Sequence, residues 1–257
     1  MEPKTIVITG STRGIGLGLA REFLDRGHRV VINGRSEEGV ARTLRVLQQT
    51  GPDVLGVQGD VSVEETHQRL VEQSVSVFGS IDIWINNAGI PQPYMLFTDS
   101  NSTDIRALVD VNITGLLLGT YTAARHMTRQ GYGKIFNMEG FGSDGRTMKK
   151  LVLYGTSKRA VSYFTKAFAR ELRDTQVQAG VLSPGMVKTE FIDESMKHGS
   201  TEEILRFRKV YDVLAEDVEV VTKFLVNGIL KSSGNYDRIV FLSRSRAFFR
   251  MLKMIYK

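Results

Sequence analysis

Tyr154 and Lys158 stand four residues apart in "YGTSK", a spacing that puts both side chains on one face of a helix. An ammonium beside a phenol favours the phenolate and lowers a pKa that is ordinarily about 10. A phenol tuned in this way can pass a proton to or from a substrate oxygen near neutral pH. A second constellation offers the cofactor such chemistry needs. "TGSTRGIG", residues 9–16, follows an apolar run and opens a helical pattern. Gly10 permits the tight turn, Gly14 and Gly16 permit close approach of a pyrophosphate, and free N–H groups at the helix start face the anion. Ser11, Thr12, Arg13 and Ile15 complete this cofactor loop. The second strand ends in Asn33-Gly34-Arg35, without the acid that holds a ribose 2′-hydroxyl. Arg13 and Arg35 together would grip a 2′-phosphate, so NADP(H) is expected over NAD(H).

The elements that must position these residues alternate along the chain. Val- and Ile-rich runs at 5–9, 29–33, 54–58, 81–85, 134–138 and 177–182 read as buried parallel strands. Helical patterns fall near 14–26, 37–49, 62–78, 101–130 and 155–174. The alternation predicts an α/β fold, a Rossmann-type doubly wound parallel sheet, as a single domain over 1–257. The chain has no cysteine, and its four histidines lack ligand spacing, so no metal site is expected. No charged leader precedes an apolar stretch and no run of eighteen apolar residues occurs, which predicts a cytoplasmic protein.

Six motifs in order resemble the short-chain dehydrogenase/reductase family along nearly the whole chain. They are "TGSTRGIG", "GDV" with Asp60 and Val61, "NNAG" with Asn87, Ala88 and Gly89, "DVNITG" with Asn112, "YGTSK", and "PGMVKT" with Pro184, Gly185, Val187 and Thr189. The resemblance implies that Tyr154 is the acid/base and that Lys158 also binds the nicotinamide ribose. It implies that Asn112 holds a water in a proton relay, that Asp60 and Val61 border the adenine, and that residues 184–189 hold the nicotinamide. The family's dimer surface corresponds to helices 101–130 and 155–174, so a homodimer or homotetramer is expected. The implied activity is NADP(H)-dependent interconversion of a carbonyl and an alcohol. The alternative is a dinucleotide-binding scaffold with weakened catalysis.

The chain departs from the family at one position. A serine about thirteen residues before the tyrosine binds the substrate carbonyl in relatives, whereas this chain has Gly140 and Phe141 there. Ser143 is the nearest hydroxyl, carried on a loop with Gly140, Gly142 and Gly145 that could swing inward. Glu139, protonated by burial, and the backbone N–H groups of the loop are the alternatives. "IFNMEGFGSDG" followed by "LYGTSK" is similar to the reductase branch that includes chlorophyll b reductases. That likeness implies a bulky, apolar, formyl-bearing substrate. Specificity is expected from loops 90–100, 140–152 and 188–215.

The net charge of +6 resides in the tail. Residues 231–257 hold seven bases and one acid, which leaves 27 bases and 27 acids elsewhere. No basic face crosses the fold, and no nucleic-acid partner is expected. On a helix over 243–257, Arg246, Arg250, Lys253 and Lys257 would form one stripe opposite Phe248, Leu252 and Ile255. The favoured reading packs the apolar face on protein and leaves the bases wet. The other reading is peripheral contact of 245–257 with an anionic membrane surface.

Overall fold

Seven parallel strands follow the order β3-β2-β1-β4-β5-β6-β7. They are β1 (Thr5–Ile8), β2 (Arg29–Gly34), β3 (Val54–Gln58), β4 (Ile83–Asn86), β5 (Gly133–Met138), β6 (Val177–Ser183) and β7 (Arg238–Val240). The structure is a computed structural model and describes residues 2–255; of Arg244 and residues 253–255 it describes the backbone. The expected doubly wound sheet is therefore present, with its order reversing between β1 and β4. That reversal opens the crevice in which such folds take their ligands.

Alternation along the strands builds two cores. Ile6, Ile8, Ile83 and Ile85 face one side, against Leu19 and Phe23 of α1 (Gly14–Asp25) and Val221 and Leu225 of α9 (Val218–Lys231). α2 (Glu37–Leu47) adds Val40 and Leu47 to this face. Val7, Val31 and Trp84 face the other side, against Leu70 of α3 (Glu64–Phe78), Ala123 and Met127 of α5 (Gly115–Gln130), and Ala169 of α6 (Val152–Glu171). Burial on both faces is what the unbroken Val/Ile runs anticipated.

α4 (Ser102–Val109) runs into α5 through a wider π turn at Asp110–Thr114. Ser102–Gln130 is long and apolar enough to cross a membrane by composition, but Leu116, Ala123, Ala124 and Met127 are buried in this fold. Two helices occupy the segment read as a variable loop: α7 (Glu190–Met196) and α8 (Thr201–Leu214). α8 begins with a capping box in which Ser200 and Glu203 each accept from the other's backbone N–H. α10 (Arg244–Ile255) closes the described chain and packs on α8.

The tail corrects the sequence expectation. Arg250 donates to Leu214 O at 3.2 Å and to Glu216 Oε2 at 2.6 Å. Arg246 lies 4.9 Å from the Phe241 ring centroid and 5.5 Å from that of Phe224. The described bases thus face the protein, while Phe248 and Phe249 are exposed. The carbonyl end of α8 and the Glu216 carboxylate draw Arg250 inward, and the Phe241 carbonyl and two rings hold Arg246. Of the expected stripe, Lys257 lies outside the described residues, as do the side chains of Lys253 and Ile255.

Candidate active site

The glycine loop joins β1 to α1 in the shape the motif predicts. Gly10 has φ +59°, and a Cβ there would sit 2.7 Å from Ala88 Cα. A Cβ on Gly16 would sit 2.5 Å from Asn87 Nδ2, so any side chain would collide with the loop that holds it. Asn87 donates to Thr9 O and Gly10 O, both at 2.9 Å. Ser11 donates to Ile8 O at 2.7 Å and accepts from Asn33 N–H at 2.9 Å. These bonds fix the loop from β2 and β4 at once. The first turn of α1 carries no acidic side chain, and its N-cap, Arg13, makes no side-chain cap. Its N–H groups and the positive end of its dipole therefore suit a phosphate. Thr12 packs over Gly34, Ile15 packs against the core, and Gly14, at φ +56°, lies near the Thr189 methyl.

At the end of β2, Asn33 spends its amide on Val57 O and Gly59 O, both at 3.1 Å. No carboxylate stands at the end of β2. Arg35 is exposed. Arg13 is exposed too, but its guanidinium is paired with Glu194 at 2.8 Å and Glu190 at 3.1 Å. The two arginines expected to act together therefore differ in their present engagement. Asp60 accepts from the N–H and hydroxyl of Ser62, and Val61 is buried beside Gly115.

Tyr154 lies in the first turn of α6, where its otherwise unpaired N–H donates to Gln92 Oε1 at 2.9 Å. Its ring meets Phe191 edge-on at 5.7 Å, which anchors it between α6 and α7. Lys158 Nζ lies 5.8 Å from that ring centroid and donates to Met138 O at 3.1 Å. Burial lowers the lysine to about 8, opposed by the charge of Glu139. Burial pushes the Tyr154 phenol up, the reverse of the sequence expectation. The cause is geometric: the ammonium is directed at a backbone carbonyl, so desolvation of the phenol is left to dominate. A neutral phenol is the form that donates a proton.

Asn112 sits in the π turn, a distortion frequent at functional sites. Its Oδ1 accepts from Ile90 N–H at 2.8 Å, and its Nδ2 donates to Ile90 O at 3.0 Å and to Ser157 Oγ at 3.3 Å. It clamps the Gly89–Ile90 backbone beside Lys158. On the far side, Gly185, at φ +77°, packs on Leu242. Pro184 and buried Val187 lead to Thr189, which closes over Gly14.

Ser143 does not enter the site. It is buried, accepts from Gly140 N–H at 3.1 Å, and donates to Lys158 O at 3.1 Å. A hydroxyl has one proton, and this one is already committed, so none remains for a substrate carbonyl. Gly140 explains the space: a Cβ there would lie 2.4 Å from the Tyr154 hydroxyl oxygen. The phenol occupies the volume a serine side chain would take.

Three contributors escaped sequence reasoning. Gln92, from the loop after β4, is buried, holds Tyr154 N–H, and accepts from Ser195 Oγ at 2.8 Å through its own carbonyl. Phe191, within the segment 188–215 expected to set specificity, braces the Tyr154 ring instead, and Arg238 of β7 reaches Glu139 Oε2 at 3.1 Å. No local pattern marks Gln92 or Arg238, because both act through long-range contacts.

A parallel sheet, a glycine-turned helix start at its switch point and a Tyr–Lys pair beside it define a nicotinamide-dependent oxidoreductase. The family description "short chain dehydrogenase" matches residues 4–199, and the chain belongs to that family. It is 37% identical over 263 residues to chlorophyll(ide) b reductase NOL of Arabidopsis thaliana, covering 98% of this chain and 74% of that one. It is 34% identical to the probable chlorophyll(ide) b reductase NYC1 of the same plant, over 90% of this chain and about half of that longer protein. Among solved structures, a 3-ketoacyl-(acyl-carrier-protein) reductase from Brucella melitensis complexed with NADH superposes with a TM-score of 0.81. It is 26% identical, over 95% of this chain and 98% of that one. The expected cytoplasmic location is corrected by these relatives, because the chlorophyll(ide) b reductases that align with most of the chain are chloroplast proteins.

Proposed function

We propose that this protein is an NADP(H)-dependent reductase that converts the formyl group of a bulky, flat, apolar substrate of the chlorophyll b class to a hydroxymethyl group. The observation that carries the reaction is the Tyr154 hydroxyl seated over Gly140 with buried Lys158 behind it. The substrate class rests on the names of the relatives and on the mouth of the site. That mouth is knit from the three segments expected to set specificity. Tyr94 N–H donates to Ser195 O at 2.8 Å, and Lys150 lies 5.3 Å from the Tyr94 ring and pairs with Glu203 at 2.6 Å. Leu96 and Phe97, in the first of these segments, are exposed.

The glycine loop and the first turn of α1 would bind the pyrophosphate, and Asp60 and Val61 would border the adenine. A dinucleotide held there would supply hydride to the formyl carbon. Tyr154 gives its phenolic proton to the carbonyl oxygen, and Lys158 stabilises the phenolate that remains. Asn112 keeps the 89–90 backbone against this pair, and Phe191 and Gln92 orient the ring. Arg35 takes the 2′-phosphate. The exposed ion pairs that hold Arg13 are worth about 0–1 kcal/mol each, so a phosphate dianion competes for it as well. A shallow groove with Tyr121, Ala124, Phe168 and Leu172 as its apolar floor and Arg125 and Arg129 beside them, along α5, α6 and the turn after it, suits association of two copies.

The test is reduced-cofactor oxidation by the purified protein, with NADPH and NADH compared, against carbonyls from small ketones to chlorophyllide b. Formation of the hydroxymethyl product with NADPH is expected. Preference for NADH would overturn the reading of Arg13 and Arg35, and turnover of small ketones alone would overturn the substrate class.

A further inference from the structure

We propose that Glu139 is a positioning residue that holds Lys158 as an ammonium, and that Arg238 of the last strand holds Glu139 in turn. The proposal rests on reading Tyr154 and Lys158 as the proton-transfer pair. Three consecutive residues after β5 touch that pair. Met138 offers its carbonyl to Lys158 Nζ at 3.1 Å. Gly140 lies under the Tyr154 hydroxyl and against Lys158 Cγ. Glu139, between them, is buried with its side chain 1% exposed, and its N–H donates to Leu182 O, so β6 fixes its backbone.

The carboxylate has two unequal oxygens. Oε2 accepts from Arg238 at 3.1 Å, whereas buried Oε1 has no hydrogen-bond partner among the described residues. A carboxylate taken out of water needs compensation on both oxygens. Arg238 is 46% exposed at the sheet edge, so it meets the charge from the solvent side only. On the inner side the stretch lies against Lys158, through Met138 O to Nζ and Gly140 to Cγ, and the charge of Glu139 opposes the burial that lowers the lysine. Among the described residues, Tyr154 on α6 meets Lys158 and Arg238 on β7 meets Glu139, while Arg159, one residue on, donates to Ser143 O at 3.0 Å instead.

The consequence is directional. A nearby opposite charge raises a lysine pKa, by an amount on the order of one pH unit. Without the carboxylate, Lys158 would lose its proton within the neutral range, and the phenolate left by proton donation would lose its counter-charge. Relatives with a serine bind the carbonyl with a hydroxyl at this stretch; here the stretch sets the charge of the lysine instead.

The experiment uses the full chain with lysine labelled with ¹³C at Cε, in the wild type and in Glu139→Gln, Glu139→Asp and Arg238→Gln. The Lys158 signal is assigned by its loss in Lys158→Met. Glu139→Gln is expected to move the Lys158 titration down by about one pH unit or more, with Glu139→Asp between it and the wild type. Arg238→Gln, which removes the partner that holds Glu139, is expected to move the titration down by less than Glu139→Gln does. The alkaline limb of kcat/KM for formyl reduction should move with the titration. An unmoved titration in Glu139→Gln overturns the proposal, and a titration that does not move down in Arg238→Gln overturns its second half, that Arg238 holds Glu139. A chain that turns over no carbonyl fails the functional reading, and the titration still decides the role of Glu139.

Discussion

Replacing Lys158 by Met should stabilise the cofactor-free protein at neutral pH while removing its activity. The lysine is 5% exposed, and burial takes it from 10.5 to about 8. The unfolded chain therefore binds a proton more tightly than the folded chain does, and wild-type stability should rise between about pH 8 and 10.5. At about 1.36 kcal/mol per pH unit, holding the ammonium in the fold costs about 3 kcal/mol at pH 7. The Met variant escapes that cost but leaves Met138 O without its donor, a loss of about 1 kcal/mol. A net gain of about 2 kcal/mol is expected at pH 7, shrinking to nothing by about pH 9.5 and reversing to a loss of about 1 kcal/mol by about pH 10.5. Urea unfolding of both proteins at pH 7 and pH 10, without cofactor, measures it. A variant less stable at pH 7, or a difference that does not change with pH, would refute the reasoning.

Tyr154→Phe should reduce kcat by a factor of about 10² or more through loss of the proton donor, with NADPH affinity by fluorescence titration unchanged. Arg35→Ala should weaken NADPH binding roughly tenfold, about the loss of one charge-assisted hydrogen bond, and leave NADH binding alone; isothermal titration of both cofactors separates the two. Ser143→Ala should cost about 1–3 kcal/mol of stability, because Gly140 N–H loses its acceptor, yet leave KM for the carbonyl unchanged in steady-state kinetics. Glu203 is held down to about 2, chiefly by Lys150. A depressed carboxylate contributes above its unfolded pKa and loses that contribution as pH falls toward about 2, so thermal scans should show the Lys150→Gln penalty at pH 7 fading in acid.

The sheet was legible because strands covered on both faces leave an unbroken apolar record, as "TIVI" and "IWIN" show. The glycine loop was legible because its shape excludes side chains at fixed positions. The start of α6 was not, since the bond that supports Tyr154 N–H comes from Gln92, 62 residues away. α8 carried a readable signal in Ser200 and Glu203, hidden by treating 188–215 as loop. The tail pattern fixed two faces but not which of them meets protein. Glu216 and Leu214 O, distant in sequence, decided that. Ser143 failed for a related reason. Gly142 has φ +96°, and a Cβ there would lie 2.6 Å from Gly155 Cα. The glycines bring the loop hard against α6, where the serine turns to Lys158 O, so their freedom serves close packing rather than an inward swing.

Gly140 and Tyr154 together show why no serine could be restored by one substitution. A Cβ at 140 would stand 2.4 Å from the phenol oxygen and 3.2 Å from Lys158 Cγ. The first distance is well below van der Waals contact, and the Tyr154 ring is braced by Phe191 and by the Gln92 bond to its backbone. Gly140→Ser would have to displace the ring, and overpacking of this kind costs about 1–3 kcal/mol. The added hydroxyl would therefore arrive with the acid out of place. The site is built around one hydroxyl, and the segment that could have carried a second instead supplies a carbonyl, a carboxylate and an empty Cβ position to the residues that remain.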